Sequence, residues 1–462
     1  MLAAMTLVGR ALWRSRALEA RERWSRDRLE LHQRVALGEL VRHVAQRSAF
    51  WRRHWNLAPG DLAPDTPLDP SSLAPVTRSA IMGAFDEAVT DPRLRREAVD
   101  AHLASMSGDA RFADDLRVMA SSGSTGERGR FVYDAEGWQT FLASCLRWTR
   151  WMGVAPRVPR VRTAAIGAPD AKHMTYRGAA SLDVGVFDSL RLAATAPIDS
   201  LVEALDRHRP AALNAYPSIL ALLAEEKLAG RLRASPRVLC TSSEQRTADV
   251  TARIELAFGV RPFDCYALTE TGITALDCSE HTGLHVFEDL SIVEIVDARG
   301  APATPGEVGA RAFVTNLYNR ALPMIRVEVS DLLVALPGPC ACGRAFQRLS
   351  AVEGRADDVL TLVGAEGAPR RVHPIHLRTK LAACAELVQY RATFEGSKLT
   401  VEMVLAQGAS AEDGRRSLAD AVAIFVRSQA LAPLALEVRA VERVPREPGG
   451  KLKVVRQLTA AP

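Results

Sequence analysis

The chain has 462 residues, 48% of them hydrophobic and 24% charged. That composition excludes collagen-like, disordered and coiled-coil classes, and the length suits one large domain plus a smaller one. The net charge of +5, from 59 basic and 54 acidic residues, is small and dispersed and gives little support to nucleic-acid binding. Only six of the basic residues are lysines: Lys172, Lys227, Lys380, Lys398, Lys451 and Lys453. No apolar run approaches the ~20 residues that cross a bilayer, so no membrane span is expected.

The apolar start, Met1 to Gly9, runs into Arg10, Arg14 and Arg16 and then Glu19, Glu22 and Asp27. This reads as an amphipathic N-terminal helix and not as a cleaved leader. Residues 11–58 read as helix, with Leu31, Val35, Leu37, Leu40, Val41 and Val44 at helical spacing. A Pro/Asp-rich connector covers 59–75, and a short helix starts near Arg78. From 115 to 290, strand-like and helical stretches alternate. Residues 117–120 precede a Gly/Ser turn, 164–167 form another strand, 211–214 precede a helix to Glu226, and 237–240 precede a helix to Phe258. Such alternation predicts an α/β fold with largely parallel strands. Residues 284–335 are β-rich. Beyond Gly354–Asp358 the pattern becomes strand, strand, helix and strand over 387–394, 399–405, 417–429 and 436–441, an α+β unit. The expected domains are 1–354, a large unit of mixed sheets and helices, and 355–462, a small one.

The strongest local signal is Ser121-Ser122-Gly123-Ser124-Thr125-Gly126-Glu127-Arg128-Gly129. Glycines let the backbone approach an anion, and hydroxyls and N–H groups donate to phosphate oxygens. It is not a Walker A loop, and the same composition also suits a flexible loop with no ligand. A second constellation is Cys278 and His281 with Cys340 and Cys342, three thiolates and an imidazole suited to tetrahedral Zn²⁺, with His285 as an alternate ligand. The competing reading is a set of buried free thiols. Seven scattered cysteines, an odd number, point to a reducing cytoplasm. Cys145, Cys240, Cys265 and Cys384 sit in apolar surroundings and read as core.

Ser121–Gly126 resembles the phosphate-binding motif of the adenylate-forming superfamily. Further motifs follow in order: Asp264-Cys265-Tyr266-Ala267-Leu268-Thr269-Glu270, Ile325 to Asp331, Glu353-Gly354-Arg355-Ala356-Asp357-Asp358, and Pro445 to Lys451. Leu73 to Thr77, Gly283-Leu284-His285 and Pro339 to Arg344 resemble the phenylacetate–coenzyme A ligase-like branch. The resemblance covers about residues 34 to 457.

The resemblance implies a large adenylating domain, a small mobile C-terminal domain, and two half-reactions. A small, aromatic carboxylic acid attacks ATP to give an acyl-adenylate and pyrophosphate. Coenzyme A, or alternatively an amine or a carrier-protein thiol, then displaces AMP. By resemblance, Ser121, Ser122, Gly123, Ser124, Thr125 and Gly126 hold phosphates, Tyr266 stacks on adenine and Thr269 reaches a phosphate. Glu270 binds Mg²⁺, Asp331 takes the ribose hydroxyls, and Ser243-Glu244 forms the adenine-side loop. Arg355 touches the nucleotide or sets the hinge. Asp357 or Asp358 is the pivot. Lys451 bridges carboxylate and α-phosphate, with Lys453 as the fallback. His173, Phe141, Tyr216, Trp148 and Ile219 are acyl-pocket candidates that also suit a core. The zinc, as in some members of the branch, would be structural. The expected location is cytoplasmic, with a homodimer open as the assembly. Ala267, Arg78 and Ser330 depart from the usual pattern. So does the stretch 362–374, which lacks the Arg-Gly of the branch and leaves the acceptor open. A relative that binds nucleotide without chemistry is the remaining reading.

Overall fold

The computed structural model describes residues 2–121, 129–182, 185–350, 352, 354–355, 359–447 and 449–458. The chain divides into two compact units. The first holds Met1–Thr163, Pro169–Ser189 and Phe263–Val352. The second holds Ala164–Ala168, Leu190–Pro262 and Glu353–Pro462.

The first unit opens with helices Leu2–Arg21, Arg26–Arg47 and Ala49–Trp55. The helical stretch expected over 11–58 is therefore broken twice, and serines make both breaks. The Ser25 hydroxyl accepts from Arg28 N at 3.4 Å, capping the second helix. Ser48 ends that helix and caps the third by accepting from Trp51 N at 3.4 Å, while donating to the Glu87 carbonyl at 2.6 Å. Each such cap is worth about 1 kcal/mol. In the second helix Leu29, Leu37, Leu40, Val41 and Val44 form the buried stripe.

One sheet of this unit runs Val76–Thr77, Val327–Val329, Arg311–Asn316, Ser291–Val296. Strands Ala335–Leu336, Arg348–Leu349, Leu284–Val286, Gly272–Asp277 and Phe263–Leu268 are neighbours in that order. Strands Arg117–Ala120 and Arg130–Tyr133 pair antiparallel. The helix Ala135–Trp151, which the sequence reading did not single out, is nearly all buried and is capped by Asp134, which accepts from Gly137 N at 2.6 Å. Its Arg147 is 0% exposed and makes a bidentate pair with Asp289 at 2.8 and 2.7 Å.

In the second unit Ala212–Ala215 and Val238–Ser242 pair in parallel, as the alternating pattern predicts. Helices Ile198–His208, Pro217–Leu228 and Ala248–Phe258 supply Leu201, Leu205, Leu220, Leu223 and Ile254 to a core with Leu213 and Leu239. The C-terminal α+β part has the strand order Ala435–Ala440, Lys398–Leu405, Leu387–Glu395, Val455–Leu458. Leu418, Val422 and Phe425 of helix Ala411–Ser428 join a core with Phe394, Val401 and Met403. The fold is mixed α/β. Among the described residues no helix is long and apolar enough to cross a membrane.

Candidate functional site

The first unit gathers several of the expected nucleotide residues on one hairpin and its neighbours. Strand Phe263–Leu268 carries Tyr266, whose hydroxyl donates to Asp331 Oδ2 at 2.8 Å. The tie fixes the carboxylate and leaves it acceptor capacity, which is what recognition of paired hydroxyls requires. Thr269, Glu270 and Thr271 form the turn into strand Gly272–Asp277, with Leu268 opposite Gly272. Gly272 has φ +75°, the left-handed residue that closes a three-residue hairpin loop.

Glu270 is 6% exposed, and its Oε1 lies 3.4 Å from Arg78 Nη1. Burial raises its pKa, the arginine opposes that shift, and the charge of Asp331 adds to it. A buried, acceptor-only carboxylate of this kind suits a hard divalent cation. Ser121 closes the base of the Ser/Gly segment. Its N donates to the Gly129 carbonyl and its hydroxyl accepts from Gly129 N, both at 3.0 Å. Ser122, Gly123, Ser124, Thr125 and Gly126 lie outside the described residues, as do Asp357, Asp358 and the side chain of Arg355. Phe141 is buried on helix Ala135–Trp151 beside Trp138, with ring centroids 4.8 Å apart. His173 is half-buried just before helix Met174–Leu182.

In the second unit Lys451 is half-buried after a turn at Gly449-Gly450, where Gly450 has φ +79°. Three side chains clamp this turn. Tyr216 Oη donates to the Gly449 carbonyl at 3.0 Å. Arg446 Nη1 donates to the Gly450 carbonyl at 3.0 Å and to Ser218 Oγ at 2.8 Å. Glu244 Oε1 accepts from Leu452 N at 2.6 Å and its Oε2 from Ser218 N at 3.2 Å. Tyr216 and Glu244, read from sequence as acyl-pocket and adenine-side residues, thus touch the backbone of the lysine turn. Ser243 precedes Glu244 with φ +69°, a strained backbone for a serine.

No protein-family model matches the chain. It is 25% identical to the phenylacetate–coenzyme A ligase of Thermus thermophilus, over 94% of this chain and 97% of that protein. It is 30% identical to the Escherichia coli phenylacetate–coenzyme A ligase, over 56% of this chain and 59% of that one. A crystal structure of 2-hydroxyisobutyryl-CoA ligase in the postadenylation state superposes with a TM-score of 0.71 at 20% identity, covering 94% of this chain and 89% of that chain. The chain shares the fold of an acid–coenzyme A ligase. Its sequence is similar to those of phenylacetate–coenzyme A ligases.

The first unit also brings a thiol cluster together. The donor atoms of Cys278, His285, Cys340 and Cys342 all lie within 4.8 Å of one another. Cys278 Sγ and Cys340 Sγ are 3.7 Å apart, and Cys342 Sγ lies 3.4 Å from His285 Nε2. A tetrahedral zinc with ordinary bond lengths requires edges of ~3.8 Å between sulfurs and ~3.6 Å between sulfur and nitrogen. The residues present therefore fit the ion. Burial, then Arg344 and Arg348, push the His285 imidazole down to about 4, which keeps its lone pair available.

The histidine of the set is His285 and not His281. His281 sits at φ +49°, and its Nδ1 lies 2.6 Å from Asp277 Oδ2. His285 stands on strand Leu284–Val286, between Leu276 and Arg348 on the flanking strands, and is 0% exposed. Among the described residues no cysteine is in a disulfide.

Several residues at these sites have no role in the sequence reading: Tyr133, Asn316 and Tyr318 around the Glu270 turn, Ser218 at the lysine turn, and Arg446, which stands there only as part of the Pro445 to Lys451 motif. One signal was available for Asn316. It ends strand Arg311–Asn316, whose centre Ala312-Phe313-Val314 is apolar, and is fully buried. A buried amide must spend its donors and acceptors on something specific.

Proposed function

We propose that this chain is an AMP-forming ligase that joins a small carboxylic acid to coenzyme A through an acyl-adenylate. The observation that carries the reading is the assembly of Tyr266, Asp331, Glu270 and Arg78 about one hairpin, in a chain similar to phenylacetate–coenzyme A ligases over nearly its whole length. Asp331 accepts from the ribose hydroxyls while Tyr266 holds it and offers its ring to adenine. The Ser121–Gly126 segment cradles phosphates. Glu270 holds Mg²⁺, which when bound neutralises charge building on the phosphates. Lys451, on its clamped turn, places an ammonium between the acid's carboxylate and the α-phosphate, where negative charge concentrates in the transition state. The thiol of coenzyme A then attacks the acyl carbon. The C–S bond forms, the C–O bond to AMP breaks, and the thiol proton is lost.

Cys278, His285, Cys340 and Cys342 would hold a structural zinc. They supply a complete set of four protein ligands, and structural sites are closed in this way. Cysteines without a disulfide among the described residues fit a reducing compartment such as the cytoplasm.

The test is pyrophosphate release from ATP and Mg²⁺ with a panel of aryl and aliphatic acids, each with and without coenzyme A. Turnover that requires coenzyme A and yields a thioester supports the reading. Pyrophosphate release indifferent to coenzyme A points to an amine or carrier-protein acceptor. Release with no acid overturns the ligase.

A further inference from the structure

The turn Thr269–Thr271 joins two antiparallel strands, so its carbonyls lie beyond the ladder. Buried carbonyls need donors from elsewhere. Here consecutive carbonyls receive them from side chains distant in sequence. Tyr133 Oη donates to the Thr269 carbonyl at 3.3 Å, Asn316 Nδ2 to that of Glu270 at 3.0 Å, and Tyr318 Oη to that of Thr271 at 2.9 Å. We infer that Tyr133, Asn316 and Tyr318 are positioning residues that lock this turn, and so set the Glu270 carboxylate and the Thr269 hydroxyl for the metal–nucleotide complex.

The donors are themselves fixed. Asn316 uses both ends of its amide. Oδ1 accepts from the backbone N of Tyr318 and of Asn319, each at 3.0 Å, while Nδ2 also donates to Tyr133 Oη at 3.3 Å. A flipped amide would set oxygen against the Glu270 carbonyl, so one orientation survives. Burial raises the pKa of both phenols, so each keeps the proton it donates.

Gly272 completes the arrangement. A Cβ there would lie 2.6 Å from Tyr318 Oη and 2.9 Å from Phe141, so a side chain would push the phenol off its carbonyl. From the other side, Arg78 meets the Glu270 carboxylate. The glutamate is therefore held at its main chain by one set of residues and at its carboxylate by another. Preorganisation of this kind is what lets a site bind a cation–phosphate complex without reorganising.

The inference rests on the ligase reading. A purely structural role would lower the melting temperature and leave the metal dependence of nucleotide binding unchanged. Tyr133→Phe and Tyr318→Phe keep the rings and remove only the donors. ATP binding to the full chain is measured calorimetrically at a series of Mg²⁺ concentrations, and pyrophosphate release is measured with the panel acid that turns over fastest. Each substitution is expected to raise the half-saturating Mg²⁺ about fivefold, the equivalent of one lost neutral hydrogen bond, with KM for the acid unchanged. The double variant is expected to lose more than either. Unchanged Mg²⁺ dependence in the double variant, whatever its melting temperature, overturns the inference while leaving the ligase intact. A wild type that binds Mg²⁺–ATP but turns over no acid sinks the ligase reading, and the binding series still decides the role of the tyrosines. A wild type that binds no ATP overturns both.

Discussion

Tyr266 and Asp331 are joined by a hydrogen bond of 2.8 Å between the phenol and the carboxylate, across 65 positions of sequence. Asp331→Ala is expected to raise KM for ATP by a factor of ten or more. Tyr266→Phe, which removes one charge-assisted bond and keeps the ring, is expected to raise it by about tenfold or less. Steady-state kinetics with varied ATP check both, and KM for the acid should stay in place.

Lys451 follows a turn whose backbone is held by Tyr216, Arg446 and Glu244. Lys451→Ala should slow adenylate formation by ~10²-fold or more, as expected for a lost transition-state donor. Lys453→Ala should slow it far less. Single-turnover pyrophosphate release measures this directly, and equal effects of the two substitutions would remove Lys451 from its assigned role.

The thiol cluster predicts metal content. Elemental analysis of the purified chain should find about one zinc per chain, given a closed four-ligand site. His285→Ala and Cys342→Ser should lose the ion and lower the melting temperature, whereas His281→Ala should keep it. Retained zinc in His285→Ala would reverse the choice of histidine.

The buried pair Arg147–Asp289 predicts a stability effect. Both side chains are 0% exposed, and Arg147 Nη2 also donates to the Leu18 carbonyl at 2.7 Å. Removing Asp289 takes away the bidentate partner of the buried Arg147 and leaves it facing Glu22 at 3.6 Å, so Asp289→Ala should cost about 3 kcal/mol in denaturant unfolding. Replacing both residues by apolar ones should cost less than the single change.

His43 predicts a pH effect. Burial, then Arg47 and Arg320, depress its pKa to about 4. In the unfolded chain it titrates near ~6.5. Its contribution to stability is therefore present above the unfolded pKa and is lost as pH falls toward 4. His43→Gln should flatten that slope. Between pH 7 and 4.5 the wild type should lose about 1 kcal/mol more than the variant, a figure reduced because the ring is half-exposed. Parallel stability curves would contradict it.

The sequence by itself determined the fold class, and it offered an ordered set of candidate nucleotide motifs and a candidate lysine. These are local signals. Alternating strand-like and helical stretches name the parallel strands at 212–215 and 238–242, a Gly-Gly turn marks Lys451, and Asp331 ends a segment that alternates apolar and polar residues. The tertiary structure decided what depends on approach between distant segments. His281 lies close to Cys278 in sequence, but its ring is turned to Asp277, and strand pairing brings His285 to the sulfurs instead. Asn316 and Tyr318 acquire their partners only when the hairpin at Glu270 is laid against them. Ser25 and Ser48 could end helices in principle, but only the capping bonds show that they do. Periodicity and motif order survive in one dimension, whereas the partner of a buried polar group is chosen by packing in three.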